Sequence, residues 1–144
     1  MKKKIISIIL AVSAICAVCM PIHASTETAL YANGVHAEEN INILEIDGNV
    51  FVPIRPIWNT AGYKLVWDNM RKRIVTTTAI GKLTIQIGSN LVSVNPDKYE
   101  PKLISAYPRI YEGQTMIPID FAAECVGASI QYSKANNAVM IISE

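Results

Sequence analysis

The apolar positions of this 144-residue chain change period in a regular order. Ile41, Ile43, Leu44 and Ile46 form a short run broken by Asn42 and Glu45, and Asp47-Gly48 ends it. Its brevity and β-branched content favour a strand over a helix. Val50-Phe51-Val52 follows, and Asp-Gly between two such runs predicts a hairpin, because the tight turn needs positive φ. Pro53 removes a ladder donor and ends the second strand. Over 55–61 the spacing becomes helical, with Ile57, Trp58 and Ala61 on one face. Pro56 suits the first turn, and Gly62 a left-handed stop. Strands return at 63–67 and 73–78 around a turn at Asp68-Asn69.

The same order recurs 65 residues later. Gly48 to Gly62 aligns without a gap on Gly113 to Gly127, and Trp67 then falls on Tyr132, Ile74 on Val139 and Val75 on Met140. In the second copy 115–118 is the strand, and Phe121, Ala122, Cys125 and Val126 supply the apolar helical face. Asp120, in the place of Arg55, reads as a helix cap. A final hairpin runs through 129–132 and 138–142. Such periodicity means one supersecondary unit written twice. The unit is β-β-α-β-β, with copies at 48–78 and 113–143. A two-turn helix does not hold itself together in water and must lie on a sheet. The class is therefore α+β, a mostly antiparallel sheet with one short helix per copy. Between the copies, Leu83, Ile85 and Ile87 alternate with polar residues and predict a half-buried strand, paired back by 91–94. Pro101 and Pro108 limit 98–107 to an edge strand or an irregular connector.

Upstream of the repeat the pattern differs. Lys2, Lys3 and Lys4 precede an apolar run from Ile5 to Met20, then Pro21. This is the layout of a signal peptide, with cleavage after Ala24 or, alternatively, after Ala37. An uncleaved membrane anchor is the competing reading; the run is short for a span, which favours cleavage, and no membrane association is expected after it. Residues 25–40 are polar, lack sustained periodicity and read as a flexible arm. Setting the leader aside removes three of thirteen basic residues and no acid, which leaves twelve acids in excess of ten bases. That balance excludes the electrostatic footprint of a nucleic-acid binder.

Candidate chemistry is sparse. Cys125 is the single cysteine after the leader and sits on an apolar helix face, so it reads as a small buried hydrophobe. Asp47, Asp68 and Asp97 lie at turns, where aspartate bonds its own backbone. No phosphate loop or metal-ligand spacing occurs, and no cofactor is expected. Arg55 at a helix start and Arg71 and Arg73 on a hairpin tip are candidate interaction residues. Trp58, Trp67 and Tyr132 could form a sugar-stacking platform with Tyr63, although their spacing favours core membership.

Gly48-x-x-Phe-Val-Pro-Ile-Arg, Ala-Gly62 and Val66-Trp67-Asp68 resemble the copper amine oxidase-like N-terminal domain, also called the stalk domain. Gly113-x-Thr-Met-Ile-Pro-Ile, Val-Gly127-Ala and Tyr132 are similar to the same half-motif, so the resemblance spans about 41–144. The chain departs from the family pattern at Asp120 and Ser133. The resemblance implies a small α+β domain, secreted or surface-exposed in bacteria, found beside enzymatic or wall-binding domains. It implies no oxidase activity. That chemistry uses imidazole ligands on copper and a tyrosine-derived quinone. His23 and His36 are the two histidines, both placed before the folded region, and no Asn-Tyr-Asp or Asn-Tyr-Glu occurs. The expectation is a secreted or cell-surface, non-enzymatic module of the cell envelope, binding a protein or a cell-wall polysaccharide or serving a structural role. The alternative is an accessory factor or inhibitor of a secreted enzyme.

Overall fold

A strand that runs into proline and then into helical spacing has to leave its sheet. This happens twice. The computed structural model describes residues 27–144. In chain order its elements are β1 (Ala29–Ala32), β2 (Val35–His36), β3 (Leu44–Ile46), β4 (Asn49–Pro53), α1 (Ile54–Ala61), β5 (Leu65–Asp68), β6 (Arg73–Thr78), β7 (Gly81–Gln86), β8 (Leu91–Val94), β9 (Glu100–Leu103), β10 (Arg109–Tyr111), β11 (Gln114–Pro118), α2 (Ile119–Val126), β12 (Ser129–Ser133) and β13 (Ala138–Ile142), with a 3-10 turn at Pro96–Lys98. The fold is α+β with mostly antiparallel sheets and two short helices among the described residues.

Three sheets form, ordered β10-β11-β4-β3, β5-β6-β7-β8-β9 and β12-β13-β1-β2. β4 and β11 pair antiparallel through Phe51–Pro118, Val52–Ile117 and Pro53–Met116. This register maps onto itself under the 65-residue offset, since Phe51 corresponds to Met116, Val52 to Ile117 and Pro53 to Pro118. Elements β3-β4-α1-β5-β6 and β10-β11-α2-β12-β13 follow one order. The special backbone angles recur at the same spacing: Asp47 and Gly48 have φ 50° and 79°, Glu112 and Gly113 have 48° and 75°. Lys72 and Asn137 match as well, at 50° and 46°. Beyond these elements the surroundings differ. β6 continues antiparallel into β7, whereas β13 pairs parallel with β1.

Each helix spans eight residues and ends at a left-handed glycine. At Gly62 the closing bonds run from its own N–H to Asn59 O and from Tyr63 N–H to Trp58 O at 2.8 Å, which satisfies carbonyls that the helix leaves open. α1 buries Ile54, Pro56, Ile57 and Trp58, and α2 buries Phe121, Ala122, Cys125 and Val126. α2 begins before its expected cap. Asp120 lies in the first turn, where Oδ1 accepts the Phe121 N–H at 2.9 Å and the Ser105 hydroxyl at 3.1 Å. The helices pack on the β4–β11 pair and on each other, and the core gathers there around Val52, Ile57, Trp58, Ile117, Phe121 and Val139.

The expected leader, 1–24, lies outside the described residues. The expected flexible arm needs correction. Within 25–40, residues 29–32 and 35–36 are strands, and β1 is an interior strand of its sheet. Ala29 N–H donates to Asn137 O at 3.0 Å, Asn33 N–H to Ile141 O at 2.8 Å, and Leu30 is fully buried. The connector 98–107 yields β9, an edge strand, and Pro101 sits on it where a missing donor is tolerated.

Candidate functional site

The register of β4 on β11 leaves an opening. Met116 pairs with Pro53, and the chain then turns away into α1, so Gln114 and Thr115 have no partner on β4. The space bounded by the start of α1, the start of β11 and the β5–β6 hairpin is a groove of about 430 Å³. Its apolar wall includes Ile54, Leu65, Trp67, Ile74 and Ile110. Strand alternation explains Leu65 and Trp67: both are half-buried, while Val66 between them is 67% exposed. The polar wall carries Arg55, Lys72, Asn69, Gln114 and Thr115, with Glu39 at one side.

Arg55 projects from the first turn of α1 and forms no ion pair among the described residues. Lys72 sits at the hairpin tip in the left-handed region, and its Nζ donates to Asn69 Oδ1 at 2.8 Å. Two cations thus reach one concave surface beside a tryptophan. Such a surface can hold an anion by charge-assisted hydrogen bonds and pack a ring or an alkyl group alongside.

The other residues singled out from the sequence lie elsewhere. Trp58 is not an accessible platform: it is fully buried, and its Nε1–H donates to Thr76 Oγ1 at 2.9 Å. The Thr76 hydroxyl in turn donates to Lys64 O at 2.6 Å, so this buried polar pair is satisfied. Arg71 and Arg73 both turn onto Asp68 Oδ2, at 3.3 and 3.1 Å. The Arg71 backbone N–H, followed by the two guanidinium groups, holds the Asp68 carboxyl below the usual carboxylate range. Neither arginine lines the groove. Tyr132 is half-buried on β12 and packs against the core, away from the groove walls. Of the six sequence candidates, the groove brings together Arg55 and Trp67.

Cys125 is buried, and burial, then the nearby Glu124, pushes its thiol up to about 12, with Lys102 opposing. A thiol so raised is a poor nucleophile. Arg109 was not singled out from the sequence. Its guanidinium lies between the Phe51 ring, at 4.6 Å, and the Tyr107 ring, at 4.3 Å. These two cation–π contacts tie Tyr107 of the connector and the buried Phe51 of β4 to β10. Lys72, Gln114, Thr115 and Ile110 also escaped notice, because they come from separate segments. The contrast between Lys72 and Asn137 at the 65-residue offset was the one available signal.

A family model for the copper amine oxidase N-terminal domain matches residues 31–141. The chain belongs to this family. A search of curated proteins finds no match. The copper amine oxidase N-terminal domain of this chain takes in β2 through β12 whole, including His36, which was expected to precede the folded region. His36 is exposed and meets Tyr31 edge-on, ring centroids 5.1 Å apart. It is the single histidine among the described residues, which do not fit the imidazole donor set of an oxidase copper. Among the described residues no group of three or more His, Cys, Asp and Glu is placed to hold a metal ion. None of their helices is long and apolar enough to cross a membrane.

Proposed function

We propose that this domain is a secreted, non-enzymatic binding module of the cell envelope, built from two copies of a β-β-α-β-β unit. The observation that carries the reading is the groove, a concave surface lined by Trp67 together with Arg55, Lys72 and Glu39. Binding sites have this makeup: mostly apolar walls and a few placed polar groups. The self-mapping β4–β11 register supports the duplication, because two like units meeting about a shared axis pair in that way. The family match to an N-terminal domain and the layout of the first 24 residues support a non-catalytic, exported role.

The test is retention of the mature protein on purified cell wall, with and without the wall protein stripped. Retention on stripped wall is expected. Recovery wholly in the unbound fraction, with no wall protein captured, counts against the reading.

A further inference from the structure

If the two units are copies, as proposed above, every groove position has a counterpart 65 residues away, and the counterparts differ in how their polar groups are used. Arg55 corresponds to Asp120, Trp67 to Tyr132, Asn69 to Lys134 and Lys72 to Asn137; on the facing wall Ile110 corresponds to Glu45. In the second unit the protein itself engages Lys134, Asp120 and Asn137. Lys134 Nζ donates to Glu45 Oε2 at 3.4 Å, a bridge between the two walls. Asp120 Oδ1 accepts Ser105 and the Phe121 N–H. Asn137 bonds Thr28 through Oδ1 and the Glu27 carbonyl through its amide, at 2.9 Å each.

In the first unit the same positions are open. Ile110 cannot bridge to Asn69, Arg55 carries a charge of opposite sign to Asp120, and the Lys72 ammonium bonds the neutral Asn69, while Glu39 at the groove's side forms no ion pair with either cation. The first-unit groove therefore carries two cations, Arg55 and Lys72, against one carboxylate, Glu39, whereas in the second unit Lys134 is bridged to Glu45. An anion satisfies that pair. The neutral hydrogen-bonding groups Asn69, Gln114 and Thr115, set around the partly exposed Trp67, match a ring bearing hydroxyls better than a purely apolar acid.

We infer that the first-unit groove takes a carboxylate-bearing saccharide, a uronic acid or an acid-substituted amino sugar, with the carboxylate on Arg55 and Lys72 and the ring against Trp67. The carboxylate accepts charge-assisted bonds from the guanidinium and the ammonium, and the second-unit position, where Asp120 replaces Arg55 and Lys134 is bridged to Glu45, takes none.

The full chain is titrated with a galacturonic acid trimer and with the uncharged galactose trimer, followed by calorimetry and by the two indole N–H signals in NMR. The acid trimer is expected to shift the Trp67 signal and leave that of Trp58, which is bonded to Thr76 inside the core. Arg55→Gln and Lys72→Gln each weaken binding about tenfold, the loss of one charge-assisted bond. Arg55→Asp, which installs the second-unit residue, abolishes binding. Lys134→Gln, which opens the second-unit bridge, leaves affinity unchanged. Equal binding of the neutral trimer, no movement of the Trp67 signal, or full affinity in the Arg55→Gln, Lys72→Gln double variant overturns the assignment. So does a Trp67 shift by a glutamate pentapeptide where the acid trimer gives none. If wild-type protein stays on the cell wall but ignores the acid trimer, the groove assignment fails and the envelope-binding reading stands. If it leaves the wall yet binds the trimer, the reverse holds.

Discussion

Replacing Leu30 with alanine asks whether the chain before residue 41 belongs to the fold. Leu30 is fully buried, pairs with Val139 across the parallel β1–β13 ladder, and joins a cluster with Ile41 and Ile141. Truncating such a leucine costs about 2–5 kcal/mol, from lost burial and the cavity left behind. The ceiling is the free energy of detaching β1 alone, which places the expectation at about 2–4 kcal/mol. With a urea m-value of about 2 kcal/mol/M for a domain of this size, the midpoint falls by about 1–2 M. The assay is urea unfolding followed by tryptophan fluorescence, with the m-value unchanged. Val35, 71% exposed on the edge strand β2, is the control: Val35→Ala moves stability by less than about 0.5 kcal/mol. Hydrogen exchange gives a second readout, since the Ala29 and Asn33 amides donate to Asn137 and Ile141 across the sheet and should be protected. A Leu30→Ala change below about 0.5 kcal/mol, with rapid exchange at both amides, would refute the placement of β1 in the core.

Other outcomes follow from the same contacts. Thr76→Val strands the Trp58 indole N–H and the Lys64 carbonyl, and should destabilise by about 1–3 kcal/mol in thermal or urea melts; Thr76→Ser, which keeps the hydroxyl, recovers most of that loss. Gly62→Ala and Gly127→Ala both force a side chain into the left-handed region, at about 1–2 kcal/mol. The second should be the worse in calorimetry, because an added Cβ at 127 meets Ala79 Cβ at 3.1 Å while the one at 62 meets nothing within 4 Å. Native Cys125 should resist iodoacetamide at pH 8 and react only on unfolding. Its raised thiol pKa means the unfolded chain loses this proton first. Stability from this group is therefore complete below about pH 9 and declines as pH rises toward about 12; Cys125→Ala should remove that part of the decline in alkaline melts.

The local signals in this chain point in agreement wherever neighbours in sequence are neighbours in space. Asp47-Gly48 and Glu112-Gly113 turn because two adjacent residues adopt positive φ, and each helix stops where a glycine follows its last apolar residue. The apolar faces of α1 and α2 are legible for the same reason. The β1 segment is not. Ala-Leu-Tyr-Ala offers one core residue, and its partner β13 lies more than a hundred residues downstream, so no window of sequence contains the pairing. The groove is hidden in a similar way. Arg55 and Trp67 are visible as unusual residues, but Ile110, Gln114 and Thr115 become their neighbours only through the β4–β11 register.

The amino-acid order by itself determined the kind of pieces this protein has: two short helices with their glycine stops, tight turns, and strands that alternate. Those are properties of φ, of side-chain period and of contacts a few residues apart. Tertiary structure alone decided which strands meet and which charges are left over. The Lys134–Glu45 bridge and the placing of Arg55 and Lys72 on one groove are set by long-range packing, and nothing local distinguishes a cation that will meet a carboxylate from one that will line a groove.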